Sequence, residues 1–157
     1  MAGNFVMRSA VVNDRAFILD LVPRFVERTA PRWRTLEQVT GTIAQDLEET
    51  LAALPADRAI FIAEDWQGNR LGFISLGTVT DLFTQEPCGY ISDLAVIAAA
   101  EGQGVGRALM HAGEAWARQQ GYRLLTLNAF PQNERARSLY RQLGFEEDLI
   151  KYIKPLL

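Results

Sequence analysis

The stretch EGQGVGRALM, residues 101–110, places glycine at every second position directly before a run of helix-forming residues. The three glycines are Gly102, Gly104 and Gly106. A helix N-terminus carries unpaired N–H groups and the positive end of the helix dipole, and anions bind there. Glycine removes the side chain that would hold an anion away from the backbone. The stretch therefore predicts a cradle for a phosphate or pyrophosphate, with a glycine-rich turn that binds nothing as the alternative.

The spacing of these glycines excludes two common phosphate-binding loops. Neither Lys-Ser nor Lys-Thr follows, so the stretch is not a Walker A loop. The pattern is also not G-x-G-x-x-G, and no acidic residue closes a second strand about 20 residues further on, as a dinucleotide-binding unit requires.

Strands and helices are predicted to mix throughout the chain, which places it in the α/β or α+β class. Strands are expected at 4–10, 58–64, 70–79, 88–97 and 122–130, with one or two more in 145–157. Helices are expected from Asn13 or Asp14 to Phe25 with a break at Pro23, from Thr35 to Leu54, at 104–120 and at 133–143. The second and third strands form a hairpin around the turn DWQGN.

Composition is that of one globular domain, residues 1–157, with 48% hydrophobic and 22% charged residues. The net charge of −3 does not favour nucleic acid or an anionic membrane as a partner. One cysteine, Cys88, and one histidine, His111, cannot form the usual zinc cluster, so no metal is expected. The chain has no apolar run of membrane-spanning length and no apolar middle of a signal peptide in MAGNFVMRSA, so a cytoplasmic protein is expected.

A second pattern lies in NERARSLYRQLGF, residues 133–145. Asn133 is placed to cap a helix on which Ala136, Tyr140 and Leu143 share one face. Taken alone, an amphipathic helix with a core tyrosine explains this pattern. Taken together and in this order, E-G-Q-G-V-G-R-A-L and N-x-x-A-x-x-L-Y-x-x-x-G-F resemble two successive motifs of the GNAT superfamily of N-acetyltransferases. ISDLAV, just before them, resembles the central strand of that superfamily.

The resemblance implies a mixed, mostly antiparallel sheet flanked by helices and splayed between the strand near 90–97 and the strand near 122–129. Acetyl-CoA is the implied co-substrate, with its pantetheine arm in the opening and its pyrophosphate on the glycine loop. Asn133 would contact the arm and Tyr140 would face the sulfur. The implied CoA-binding residues are Leu94, Ala95, Val96, Glu101, Gly102, Gln103, Gly104, Val105, Gly106, Arg107, Asn133 and Tyr140.

Glu101 departs from the family pattern, which has Gln or Arg at this position. A carboxylate beside a pyrophosphate is electrostatically unfavourable. Because the cradle is made of backbone groups, it is expected to survive, with Arg107 compensating in part. A side-chain contact and some CoA affinity are expected to be lost.

Acetyl transfer to a primary amine, which the resemblance implies, requires two groups that handle protons. Deprotonating an amine of pKa about 10.4 at pH 7 costs roughly 4–5 kcal/mol, so a base or a dry pocket is needed. Tyr140 is predicted to protonate the leaving thiolate. Asp93 is a candidate base, and a carboxylate that caps a turn or pairs with an arginine is the alternative. Cys88 has no histidine partner in sequence, so direct transfer without an acyl-cysteine is expected.

The acceptor is expected to be a small-molecule or peptide amine. Asp81 and Glu86 are candidates for binding it, or are simply solvated, and the resemblance places Trp33 and Arg34 near the acceptor wall. His111 is predicted to lie on the surface. A catalytically silent acyl-CoA sensor and an interaction domain that binds no CoA are the competing functions. The final segment DLIKYIKP suggests a homodimer, although packing against the chain's own helices explains its apolar residues equally well.

Overall fold

The computed structural model describes residues 4–25 and 31–156. Its strands are β1 (Val6–Ser9), β2 (Ala59–Glu64), β3 (Arg70–Thr80), β4 (Pro87–Val96) and β5 (Leu125–Leu127). Its helices are α1 (Arg15–Leu21), α2 (Leu36–Ala53), α3 (Val105–Gln119) and α4 (Glu134–Gln142). Single turns of 3₁₀ helix lie at Val12–Asp14, Val22–Phe25 and Ala98–Ala100. Pro23 falls in the second of these turns, so the predicted break after α1 is confirmed.

The strands form one mixed sheet in the order β1-β2-β3-β4-β5. The first four are antiparallel neighbours, whereas β5 is parallel to β4. The β4–β5 pairing covers only Gly89↔Leu125 to Ile91↔Leu127. Beyond Ile91, β4 continues to Val96 along β3, and no strand within 4–25 or 31–156 pairs with its other side. The predicted mixed, mostly antiparallel sheet that opens between these two strands is therefore confirmed.

A β-bulge in β4 lies just where the two strands separate. Asp93 stands opposite Ser75 and Ile91 opposite Leu76, so Ser92 is an extra residue on β4. The Ser92 hydroxyl donates to the Ser75 carbonyl at 3.2 Å. Because a bulge bends its strand and increases the local twist, this residue directs the end of β4 away from β5.

Apolar side chains bury both faces of the sheet. The core between the sheet and α3 contains Ile74, Leu76 and Ile91 from the sheet, with Leu109, Met110 and Trp116 from α3. The core on the opposite side of the sheet contains Ile60, Ile62, Phe73 and Ala95 from the sheet, with Ile18 from α1 and Leu47 from α2. Alternation along β4 therefore sends Leu94 and Val96 toward α3 and Ala95 toward α1 and α2.

Asp14 does not cap α1 with its side chain, which corrects the expectation from the sequence. The fully buried carboxylate accepts hydrogen bonds from Arg8 at 2.7 and 2.8 Å, from Arg70 at 2.7 Å and from the Val11 N–H at 2.8 Å. The Arg8 guanidinium holds the pKa of this carboxyl far below its usual range. Asp14 thus joins β1 and β3 to the start of α1.

Asp14→Asn is expected to lower the free energy of unfolding at pH 7 by about 3 kcal/mol or more, because it leaves two arginines without their buried partner. Asp20→Asn, on the exposed side of α1, is the matched control. The Asp14 contribution is present above the unfolded-state pKa of about 3.9 and is lost as the pH falls toward the lower folded-state pKa. Urea unfolding of both variants at pH 7 and pH 3 measures the difference. Equal stability of the two variants at pH 7 would contradict the assignment.

The start of α2 is as predicted, and its apolar stripe is only partly so. Thr35 and Gln38 form a capping box, in which each side chain accepts from the backbone N–H of the other residue. Leu36 and Leu54, at the two ends of the predicted stripe, are both more than half exposed. The middle of the helix, at Leu47, is fully buried.

The predicted C-terminal strands are wrong, and β5 is shorter than predicted. Residues 145–156 contain no strand, and β5 covers 125–127 instead of 122–130. Three acidic residues, 146–148, begin the final segment, and acidic residues disfavour strands. Glu147 is drawn instead to Arg137 on α4 at 2.8 Å.

Candidate active site

The loop before α3 has the backbone conformation that its glycines predicted. Gly102 and Gly104 have φ angles of +76° and +87°, a region that favours glycine. A Cβ added at either position would meet no atom within 4 Å, so both residues face open space. Gly104 is also the N-cap of α3, which has no side-chain cap.

A row of free backbone donors lines this loop. In the part of the chain that the structure describes, the N–H groups of Gly102, Gly104, Val105, Gly106 and Arg107 have no hydrogen-bond acceptor. They lie at the positive end of a 15-residue helix. Unpaired N–H groups facing open space suit phosphate oxygens, so the residues present fit the pyrophosphate of CoA.

Arginines neutralise Glu101, the residue that departs from the family pattern. Its carboxylate forms ion pairs with Arg24, in the turn after α1, and with Arg135 on α4 at 2.7 Å. Arg107 donates to Gln142 on α4 at 2.8 Å. The loop is therefore surrounded by three arginines, and the acidic side chain does not present an unpaired charge to an anion.

The opening between β4 and β5 leads directly to this loop. Leu94, Ala95 and Val96 pair with β3 and have no strand partner on the β5 side among the described residues. A Cβ added to Gly106 would lie 3.9 Å from Val96, which brings the start of α3 against the end of β4. The free edge of β4 has the form that accepts an extended chain as an added strand.

Tyr90 and Asn128 mark the point where the two strands separate. The Asn128 side-chain amide donates to the Tyr90 hydroxyl at 3.3 Å. Sequence analysis missed both residues, because their contact depends on the parallel pairing of β4 with β5. That pairing carries no local sequence signal.

Helix α4 provides Asn133 and Tyr140. The Asn133 side chain accepts from the Ala136 N–H at 3.3 Å, which confirms the predicted cap. The Tyr140 ring packs against Phe145 and the α3 core, with ring centroids 6.0 Å apart. Its hydroxyl has no hydrogen-bond partner among the described residues, and burial raises its pKa. Tyr140 therefore stays protonated at neutral pH and keeps its proton available.

Asp93 lies on the opposite face of the sheet, under α1 and α2. It is 6% exposed, and burial raises its pKa to about 6, with Asp46 raising it and Ser92 and Arg58 lowering it. Among the described residues, none forms an ion pair with Asp93. The alternative of a carboxylate paired with an arginine is therefore not what the structure contains.

A partly buried polar cluster lies beside Asp93. Arg58 binds Asp46 on α2 with two hydrogen bonds of 2.9 and 2.8 Å. The guanidinium lies over Gly77, where an added Cβ would be 3.4 Å from Nε. Within the described ranges, Arg58 Nε and the Ser75 hydroxyl are buried without a hydrogen-bond partner. These orphan groups and Asp93 are polar enough to hold water, which is a route for a proton.

A cavity of about 620 Å³ lies between α2 and the loop after β5. Its walls are Trp33, Arg34, Gln38, Val39, Thr42, Ile43 and Phe130. Trp33 and Arg34, which the resemblance placed near the acceptor wall, both line this cavity, and Phe130 is an addition that the sequence did not reveal.

The other candidates have local contacts of their own. Asp81 accepts from the N–H groups of Phe83 and Thr84 in its own turn, and these bonds lower its pKa. Glu86 pairs with Arg123 at 3.6 Å. His111 is exposed and Cys88 is buried, as predicted.

The described residues contain neither a membrane-spanning helix nor a metal-binding cluster. None of their helices is both long and apolar enough to cross a membrane. Three or more His, Cys, Asp or Glu side chains do not gather anywhere in 4–25 or 31–156 in a way that could hold a metal ion.

A sheet that opens beside a glycine loop at a helix N-terminus is the architecture that the resemblance implied for an N-acetyltransferase. Residues 24–145 match the Acetyltransferase (GNAT) family, and the chain belongs to that family.

Relatives and solved structures agree with this assignment. The Uncharacterized N-acetyltransferase YhfO of Bacillus subtilis (strain 168) is 36% identical over 110 residues, 67% of this chain and 73% of that protein. The Aminoglycoside N(6')-acetyltransferase type 1 of Stenotrophomonas maltophilia is 32% identical over 123 residues, 75% of this chain and 80% of that protein. The aminoglycoside N-acetyltransferase AAC(6')-Iy, solved in complex with CoA, shares the fold with a TM-score of 0.73 at 21% identity, over 99% of this chain and 98% of its own.

Proposed function

We propose that this protein transfers the acetyl group of acetyl-CoA directly to a primary amine, in a ternary complex. One observation carries the proposal: the unbonded N–H groups of the glycine loop adjoin the free edge of β4. The phosphate groups would bind the N–H groups of the loop, and the extended arm would lie along the edge of β4. Residues 102–107 would hold the pyrophosphate, the main chain of 94–96 the arm, and Asn133 would contact the arm.

Acetyl-CoA supplies an activated thioester, and the chain supplies the proton transfers. The amine loses a proton to Asp93, directly or through water, because only the neutral amine is nucleophilic. Its nitrogen then bonds the acetyl carbon as the carbon–sulfur bond breaks. Tyr140 gives its hydroxyl proton to the departing sulfur, and the phenolate regains a proton from the nitrogen of the new amide, which loses its second proton at this point. A β4 N–H near Leu94 would steady the oxygen on which negative charge develops.

Direct transfer is supported by the state of Cys88. The side chain is 2% exposed, and burial raises the pKa of its thiol. A reactive cysteine needs the opposite, a lowered pKa and access to substrate. We therefore assign Cys88 to packing and not to an acyl-enzyme.

Calorimetric titration with acetyl-CoA tests the phosphate cradle, with pantetheine as the ligand that lacks the pyrophosphate. Acetyl-CoA is expected to bind saturably, and pantetheine at least 100-fold more weakly. Gly104→Ala is expected to weaken acetyl-CoA binding at least 10-fold, because its Cβ enters the space before the free N–H groups. Gly68→Ala is the matched control, since Gly68 has a similar φ of +81° and open space in a distant turn.

Both glycine variants carry the same backbone strain of roughly 1–2 kcal/mol. Equal loss of acetyl-CoA affinity in both would therefore mean that strain, and not the cradle, causes the effect. Failure of the wild type to bind at millimolar acetyl-CoA would remove the proposed function. Binding without release of CoA on adding amines would instead indicate the silent sensor.

The proposal includes a homodimer built on the C-terminal segment. Leu149, Ile150 and Tyr152 are largely exposed on residues that pair with no strand. Light scattering on the purified protein tests this part, and a monomer at micromolar concentration would contradict it.

A further inference from the structure

An arginine side chain lies in the wall of the cavity between α2 and the loop after β5. Arg34 is half-buried in its wall, and its guanidinium makes no ion pair or hydrogen bond with any described residue. Most other arginines in 4–25 and 31–156 have acidic partners, Asp46 for Arg58 and Glu48 for Arg15 among them. A guanidinium is a rigid fork of donors that matches a carboxylate with two parallel hydrogen bonds.

The rest of the cavity wall is largely apolar. Trp33 and Phe130 place aromatic rings beside Arg34, and Val39 and Ile43 add aliphatic side chains. Arg34 is the one ionisable side chain that the described residues contribute to this wall. The cavity therefore offers a large apolar surface and a single positive charge.

Two walls of the cavity continue toward the proposed reaction site. On α2, Thr42 in the cavity wall is one helical turn, about 6 Å, from Asp46. Asp46 binds Arg58, which belongs to the cluster beside Asp93. On the other wall, Phe130 follows Asn128 by two residues, and Asn128 bonds Tyr90 where β4 and β5 separate. A molecule in the cavity thus reaches from Arg34 toward the opening of the sheet.

We propose that the acceptor is a primary amine with an apolar body and a carboxylate, which Arg34 binds while Trp33 and Phe130 pack against the body. This inference rests on the proposed function and names the substrate class of the same site. The carboxylate is held at the far end of the cavity, so the amine is directed to the opening.

The same wall disfavours a polycationic acceptor. The name of the Stenotrophomonas maltophilia relative identifies its acceptor as an aminoglycoside, a class with several amines. An unpaired guanidinium in the wall repels a second cation, and the described lining holds no carboxylate to balance it. This chain and that relative are therefore assigned different acceptors.

Matched acceptors test the proposal. 4-(Aminomethyl)benzoic acid and 6-aminohexanoic acid are each compared with their amides, together with kanamycin, by release of CoA from acetyl-CoA. We expect kcat/KM to favour each acid over its amide by about 10–100-fold, the range for a charge-assisted pair.

Arg34→Gln is expected to reduce the preference for acid over amide to within 3-fold. Arg32 is exposed and lies two residues away, so Arg32→Gln is the matched control and is expected to leave the preference unchanged. A second readout needs no turnover. The acetylated product 4-(acetamidomethyl)benzoic acid is expected to bind the CoA-saturated wild type at least 10-fold more tightly than it binds Arg34→Gln, by calorimetry.

Each outcome bears on one proposal. Turnover of the amides or kanamycin equal to or above that of the acids would overturn the carboxylate acceptor and leave the acetyltransferase. Retained acid preference in Arg34→Gln would overturn the role of Arg34. Failure of acetyl-CoA to bind at all would overturn the proposed function, and with it this inference.

Discussion

Asp93→Asn is expected to lower kcat/KM at least 100-fold and at the same time to stabilise the protein at pH 8. Activity falls because an amide cannot accept the amine proton, and a positioned base contributes typically 10²–10⁴-fold. The acid limb of the wild-type kcat/KM profile, near the Asp93 pKa of about 6, is expected to disappear in the variant.

The gain in stability follows from the sign of the pKa shift. Burial raises the Asp93 pKa from 3.8 to about 6 in the folded protein. The folded state therefore binds this proton more tightly than the unfolded state, and stability falls as the pH rises from about 4 to 6. The Asp93→Asn variant has no such proton to lose, so its free energy of unfolding at pH 8 is expected to be higher by about 2–3 kcal/mol.

Thermal and urea unfolding at pH 4.5 and pH 8, beside steady-state kinetics, measure both effects. Asp57→Asn, an exposed carboxylate near the same cluster, is the matched control and is expected to change neither quantity. Loss of activity together with loss of stability at pH 8 would mean that the carboxylate is structural. Full activity in a stable Asp93→Asn protein would remove Asp93 from the mechanism.

Tyr140→Phe is expected to lower kcat by about 100-fold or more while the protein remains as stable as the wild type. The change removes only a hydroxyl that has no partner among the described residues, so the fold loses no hydrogen bond there. Turnover falls because the sulfur departs without a proton donor. The acetyl-CoA dissociation constant is expected to stay within twofold.

Tyr122→Phe is the matched control with the opposite pattern. The Tyr122 hydroxyl bonds the Thr78 hydroxyl at 2.6 Å, so this variant is expected to lose about 1 kcal/mol of stability and to keep its turnover. Stopped-flow detection of CoA with a fixed amine, beside urea unfolding, separates the two variants. Unchanged kcat in Tyr140→Phe would show that another group, or water, protonates the sulfur.

Local patterns in the sequence predicted the parts of the site that depend on neighbouring residues. The positive φ angles of Gly102 and Gly104 and the Asn133 cap each follow from a few consecutive residues. The position of Tyr140 on α4 follows from helical spacing.

Contacts between elements that are far apart in the sequence could not be predicted from local patterns. Arg24 and Arg135 reach Glu101 across 77 and 34 residues, so the charge balance of the loop could not be recognised from the loop. The bulge at Ser92 appears only when β4 is paired with β3. The C-terminal error has a related cause, since apolar residues at 149–153 indicated a strand without showing whether a sheet edge was there to receive it.

The free edge of β4 also has a bearing on solubility. Unpaired N–H and C=O groups along 94–96 are a template for any extended chain, whether the arm of the co-substrate or a strand of a neighbouring molecule. The same groups that bind the arm would otherwise recruit partly unfolded copies into an aggregate. The protein without ligand is therefore expected to be the form most prone to aggregate, and the proposed co-substrate would act as a cap on the sheet as well as a reactant.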